Sequence, residues 1–286
     1  MTILNESITD IKIAFKVYSE YKKTYISTFI IFLTGIIVLV FTGFFIGRFV
    51  ILENYFQINN IIRLTLILIV PLILCLIFFL LLSYARTTFG LTNDIMTSGE
   101  LFTEFKRTIT YFKKFWLYFT VLTLPYVFII VGDQMITLFY LFELIHSHEN
   151  NRVSVVIIKI LVYFFDLVLY ITLIEIFPSI IVVRNLKQCF IENFSVVNQN
   201  IKRLILSVGL YYLLFRVPMI IVDIARLLIV TNEETFLLFN MIFLFFSFIN
   251  ALIGLPILSL ISTRIYNTTI LKTKTEGNKS QNNKNL

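Results

Sequence analysis

The strongest constraint on this chain is where its charges are missing. Four stretches, Thr24 to Gly47, Leu64 to Ala85, Phe115 to Gly132 and Thr235 to Thr263, contain no Lys, Arg, Asp or Glu. The hydrocarbon core of a bilayer, about 30 Å thick, is crossed by roughly 20 apolar helical residues, and each run approaches or exceeds that length. Two further apolar runs are interrupted by charge: Val153 to Phe177, with Lys159, Asp166 and Glu175, and Leu204 to Val230, with Arg216, Asp223 and Arg226.

The rest of the composition agrees. Hydrophobic residues make up 58% of the chain and charged residues 14%, with 31 Phe against 9 Gly, a balance that excludes an ordinary soluble domain. The runs are continuously apolar and do not alternate every second residue, so they predict helices and not a barrel. The expected fold is all-α and polytopic, with six transmembrane helices in one domain over residues 1–271. No stretch has the pattern of a cleavable signal peptide, and the first helix is expected to remain in place.

Counting Lys and Arg on the two sides gives an orientation. The side of the N-terminus holds eighteen, spread over Lys12 to Lys23, Arg86 to Lys114, Arg184 to Arg203 and Arg264 to Lys284, whereas the opposite side holds Arg48, Arg63 and Arg152. The positive-inside rule then predicts a cell-membrane protein with both termini in the cytoplasm. Tyr111, Trp116 and Tyr118 beside Lys113 and Lys114 suit the headgroup zone of one boundary.

The chain also reads as a repeat. Basic pairs precede the first, third and fifth spans, at Lys22-Lys23, Lys113-Lys114 and Lys202-Arg203, and their near-equal spacing suggests one unit used three times, over about 8–86, 98–184 and 186–266. Upstream of each pair, apolar residues recur at helical spacing: Ile11, Ala14, Tyr18 and Tyr21; Phe102, Phe105, Ile109 and Phe112; Ile191, Phe194 and Ile201. Thr97 and Glu100 form a capping-box pattern at the start of the second of these segments. Each unit is expected to be a cytoplasmic amphipathic helix followed by a transmembrane hairpin. Those helices either lie in the interface with their Lys and Arg on anionic headgroups or pack against the ends of the spans. Residues 272–286 read as a disordered basic tail. The net charge of +7, gathered on that side, points to anionic lipids and not to nucleic acid.

The segments "SYARTTFGLTNDIMTSGELFTEFKRTITYFKKFWLYF" (Ser83 to Phe119) and "IFPSIIVVRNLKQCFIENFSVVNQNIKRLI" (Ile176 to Ile205) resemble the prokaryotic glycerophosphoryl diester phosphodiesterase membrane-domain family. There a helix ending in a proline-containing stretch leads to an amphipathic segment, a basic pair and the next span. The resemblance implies six helices and this topology over most of Ile8 to Asn267. The catalytic domain that can accompany the module is not expected in this chain, so the hydrolase activity is not carried over.

Charges inside the fourth and fifth spans are the candidate site. Arg216 and Asp223 lie seven residues apart on one helical face, and Lys159 and Asp166 lie seven apart on the other span. Run antiparallel, the two helices set Asp166 level with Arg216 and Lys159 level with Asp223, each rung pairing opposite charges, with Tyr163, Tyr170, Tyr212 and Met219 along the same stripe. An unpaired charge at the bilayer centre costs about 2.5 to 3.5 kcal/mol on insertion scales. The rungs read either as an interhelical lock or as a polar site on a proton or solute path. Pro218, which cannot donate to the Leu214 carbonyl, frees an acceptor near Arg216. Arg226, closer to the outer boundary, is expected to snorkel.

Elsewhere the signals are bland. His146, His148 and Glu149 read as a solvated loop, Cys75 and Cys189 as ordinary thiols, and Pro71, Pro125, Pro178 and Pro256 as kinks. No nucleophile elbow, phosphate loop or zinc motif is present in the sequence, so no cofactor and no metal are expected. The resulting expectation is a non-enzymatic membrane module acting through lipid or partner-protein contacts. The alternative is a small-solute or ion transporter or channel that uses the rungs.

Overall fold

A computed structural model describes residues 3–53, 76–77, 80–81, 83–96, 152–183, 186–229 and 233–282, with no strand among the described residues. The helices are α1 (Ile3–Glu53), α2 (83–96), α3 (Arg152–Leu173), α4 (Ile176–Val183), α5 (Leu186–Tyr211), α6 (Val217–Ile229), α7 (Glu233–Ile249) and α8 (Leu255–Asn282). A π-helical turn at Tyr212–Arg216 joins α5 to α6, and a second at Asn250–Gly254 joins α7 to α8.

Four stretches of this helix are long and apolar enough to cross a membrane: Ile3–Thr42, Val155–Ser179, Lys187–Ile229 and Leu238–Ile270. They fall on the first, fourth, fifth and sixth expected spans. The third span, the capping pair Thr97 and Glu100, the basic pair Lys113-Lys114 and the outer-loop histidines lie outside the described residues, as does most of the second span.

Each described proline has an irregular turn just before it, for one physical reason. Proline lacks the amide proton and its ring crowds the carbonyl four residues back, so a helix must loosen there. Before Pro218 the helix widens to the π turn Tyr212–Arg216, in which the Val217 amide reaches Tyr212. Before Pro256 it widens to Asn250–Gly254, in which the Leu255 amide reaches Asn250. Before Pro178 the helix breaks altogether, at Ile174 and Glu175 between α3 and α4. A π turn leaves backbone acceptors to be satisfied from elsewhere. The Tyr84 hydroxyl donates to the Ala251 carbonyl at 2.7 Å and the Tyr18 hydroxyl to the Leu252 carbonyl at 3.4 Å.

The helices pack antiparallel around a shared core. Asp10 and Phe29 of α1 meet Arg264 of α8 and Phe248 of α7 respectively, which runs α1 against the α7–α8 rod. Tyr25 of α1, Thr92 of α2 and Ser259 of α8 form a buried hydroxyl chain with steps of 2.9 and 2.7 Å. The two π turns face each other: the Tyr211 hydroxyl, just before the first, donates to Asn250 Oδ1 at 2.9 Å. Gly254 lies so close to Phe215 that a Cβ there would sit 3.0 Å from Phe215 Cγ and closer still to Asn250 Oδ1. This is a place where only glycine fits.

The amphipathic segments depart from a uniform repeat. α1, 51 residues long, runs unbroken from its polar lead through Lys22-Lys23 into the apolar run, about 76 Å in all. Its first half continues the axis of its second half and does not turn aside as a separate helix. Its stripe faces inward: Ala14 is buried, and Ile11, Tyr18 and Tyr21 pack against the core. In α5 the backbone leaves the helical region at Asn200 (φ −123°, ψ 17°), and Ile191, Phe194 and Ile201 are exposed. The inward positions there are Cys189, Asn193, Val196 and Val197.

Candidate functional site

The charged residues of α3 face those of the π turn and α6. Lys159 Nζ donates to Asp223 Oδ2 at 2.7 Å, and Arg216 Nη2 donates to Asp166 Oδ2 at 2.6 Å. The side chains of Lys159 and Asp223 are 1% and 0% exposed, and those of Arg216 and Asp166 are 13% and 4% exposed. Heptad spacing on each helix produces this match: seven residues advance nearly two full turns, about 10 Å, and return to the same face. All four residues lie level with outward apolar side chains. On α3, Ile157, Phe164, Phe165 and Val168 are exposed around Lys159 and Asp166, and on the facing limb Leu213, Ile221 and Leu228 are exposed around Arg216 and Asp223.

Tyrosines complete the coordination of the carboxylates. The Tyr163 hydroxyl donates to Asp223 Oδ2 at 2.6 Å. The Tyr212 hydroxyl reaches the Tyr163 carbonyl at 2.9 Å and Asp166 Oδ2 at 3.4 Å. The Arg216 guanidinium also stands 5.7 Å from the centre of the Tyr170 ring, a cation–π distance. Each carboxylate thus receives several donors, the condition under which a buried charge is tolerable in a low-dielectric interior.

Arg226 corrects the expectation that it snorkels. It is buried, bonded to Asp223 Oδ1 and, at 2.6 Å, to Asn240 Oδ1 of α7. Asp223 lies three residues earlier, one turn away on the same face, so a carboxylate is within reach of the guanidinium without the side chain extending outward. That spacing was present in the sequence and is the signal that finds it. Asp223 and Arg226 together therefore tie three helices, α3, α6 and α7, into one polar knot.

The interfacial basic residues divide. Lys22, Lys23 and Lys202 are exposed. Arg203, expected beside Lys202 on the headgroup side, instead turns inward, donating through Nε and Nη2 to the two oxygens of buried Asp10 at 2.6 and 2.7 Å. Consecutive helical residues point about 100° apart, and here that turn carries Arg203 inward while Lys202 stays outside. Arg264 Nε shares Asp10 Oδ1 at 2.8 Å, which clamps α1, α5 and α8 together.

Sequence reasoning passed over a second polar group nearby. Glu192 accepts from the Tyr266 hydroxyl at 2.5 Å, from Ser179 at 3.3 Å and from Gln188 at 3.3 Å. Asn193 donates to the Thr172 carbonyl at 2.8 Å, where α3 ends. Glu175, at the helix break, is 0% exposed, and neither of its oxygens accepts a hydrogen bond from a described residue. No group of three or more His, Cys, Asp or Glu among the described residues is arranged to hold a metal ion.

Chemically, each carboxylate of the ladder is bound to a cation at short distance and approached by a phenol, at 2.6 Å on Asp223 and 3.4 Å on Asp166. No protein-family model, curated protein or solved structure matches this chain.

Proposed function

We propose that this chain is a six-span integral protein of the cell membrane, with both termini in the cytoplasm, that acts without chemistry of its own by holding anionic lipid at its inner face. On this reading the ladder is a lock that fixes the register of α3 against α6, and the work is done at the cytoplasmic end. The excess of Lys and Arg on the side of the termini supports the orientation, and the module accords with the membrane-domain family that the sequence resembles.

The observation that carries the reading is on α5. Before the departure at Asn200, Ile191 and Phe194 stand outward, 59% and 57% exposed, with Lys187 exposed on the same segment and Lys202 just beyond it. Apolar side chains beside lysines at the edge of a spanning helix suit the acyl boundary under an anionic headgroup layer. A buried ladder whose opposite charges are paired favours a lock over a path, because a transported solute needs ligands that are free to exchange.

The test uses the full chain in lipid nanodiscs, with Trp116→Phe and Phe194→Trp leaving one indole at the contact. Bromine-labelled lipid is expected to quench that indole, more strongly when the label is carried by phosphatidylglycerol than by phosphatidylcholine. Fluorescence unaffected by either lipid would overturn the lipid contact.

A further inference from the structure

Glu175 has no part in the ladder or in the cytoplasmic clamp, yet it is a carboxyl side chain buried completely within the bundle. An isolated buried carboxylate is among the costliest groups a protein can carry, and it is stabilised by a partner cation or by losing its charge. Three features define its surroundings. First, it sits at a helix break: α3 ends at Leu173 and α4 begins at Ile176. The C-terminal end of α3, with the partial negative charge of its last carbonyls, is therefore turned toward the same place. Second, both carboxylate oxygens are without a hydrogen bond from any described residue. The Ser262 hydroxyl stands between the carboxylate and the Ile174 carbonyl, 3.3 Å from the carbonyl oxygen. Third, the charges acting on Glu175 are those of Arg203 and Asp10. These two are bonded to each other through both Asp10 oxygens, and Arg264, the other guanidinium on Asp10, is 29% exposed and screened by water. Arg203 is thus engaged by Asp10 and makes no hydrogen bond to Glu175.

We propose that Glu175 is a cation site, at which the carboxylate and the Ser262 oxygen at the α3–α4 break take one small hard cation, Na⁺ or a proton. Oxygen donors with a single negative charge, next to the negative end of a broken helix, form the kind of site that such ions occupy in membrane proteins. A cation there neutralises the carboxylate where α3, α4 and α8 meet, so its binding tightens the junction between a spanning helix and the cytoplasmic end. The inference goes beyond the lipid contact proposed above and does not depend on it.

The experiment measures thermal stability of the purified full chain in detergent as Na⁺ replaces choline at constant ionic strength. If Na⁺ is the occupant, the melting temperature of the native protein rises saturably with Na⁺, and the rise is lost in Glu175→Gln and weakened in Ser262→Ala. If a proton is the occupant, Na⁺ has no effect, and infrared spectra at neutral pH show a protonated-carboxyl stretch that Glu175→Gln removes and Glu175→Asp shifts. A native protein that shows neither a Na⁺-dependent rise nor a protonated-carboxyl band overturns the proposal, whatever the fate of the variants.

Discussion

Exchanging the charges of one rung is the sharpest test of the ladder. In Asp166→Arg, a second guanidinium replaces the carboxylate that now lies 2.6 Å from Arg216. Two like charges about 4 Å apart repel by about 4 kcal/mol at an effective dielectric of about 20, and removing one partner of a buried pair costs about 3 to 5 kcal/mol by itself. A loss of about 4 kcal/mol lowers the folded-to-unfolded ratio close to a thousandfold, a large share of the stability of an ordinary domain. Adding Arg216→Asp restores an attractive pair across the same gap. The rescue is incomplete, because the surroundings are built for one polarity. The Tyr212 hydroxyl keeps the Tyr163 carbonyl but loses its longer contact with the carboxylate at 3.4 Å, and the Tyr170 ring loses the cation 5.7 Å from its centre, a residual deficit of about 1 to 2 kcal/mol.

Yield of monodisperse protein by size-exclusion chromatography, followed by the melting temperature in detergent, reads both steps. Asp166→Arg is expected to lose most of the monodisperse peak, and the double variant to recover most of it. A double variant no better than Asp166→Arg, or a single variant that melts with the native protein, would refute the pairing.

Two further outcomes follow from the same contacts. Asp223→Asn is expected to lower the melting temperature more than Asp166→Asn, because Asp223 serves Lys159, Tyr163 and Arg226 while Asp166 serves Arg216 and Tyr212; the reverse order in a thermal shift series would contradict the knot at Asp223. Gly254→Ala puts a methyl group against Phe215 and Asn250, at a cost of about 1 to 3 kcal/mol for overpacking. Adding Phe215→Leu should recover part of that loss in the same measurement, and an alanine variant as stable as the native protein would show that the two π turns are not in close contact.

What could be read in the sequence was whatever repeats at short range. The rungs were legible because both helices carry opposite charges seven residues apart, and one fixed period suffices to bring them level. The turns before Pro178, Pro218 and Pro256 were legible because a missing amide acts on the four residues before it. Partners from distant segments were not. Asp10 and Arg264 are separated by 254 positions, and nothing local in either marks the other. The amphipathic stripes carried a real ambiguity, since a helix facing other helices and a helix facing lipid show the same period. In α1 the stripe turns to the core, whereas in α5 the expected stripe stands outside and a row containing Cys189 and Asn193 turns in. Polar Asn193 disguised that inward row. It belongs there because its amide caps the Thr172 carbonyl at the end of α3.

The two sides of the bundle solve the problem of buried polarity differently, and the π turns are where the solutions join. On the side of α3 and α6, side-chain charges cancel one another in rungs, which demands exact register and punishes any slip by a residue. Beyond the clamp of Asp10 with Arg203 and Arg264, the side of α1, α2 and α8 uses hydroxyls and backbone carbonyls: Tyr18 and Tyr84 cover the acceptors around the turn before Pro256, and Tyr25, Thr92 and Ser259 satisfy one another. A hydroxyl rotates to suit its neighbour and tolerates small slips. The turn before Pro218 ends on Arg216 and contains Tyr212, so the irregularity that proline imposes also sets the two donors that reach Asp166. Across from it, Asn250 accepts the hydroxyl of Tyr211 and Gly254 lets Phe215 close in. A shift in the second π turn therefore presses first on Phe215, one residue from Arg216, and couples the tolerant side of the bundle to the one that cannot slip.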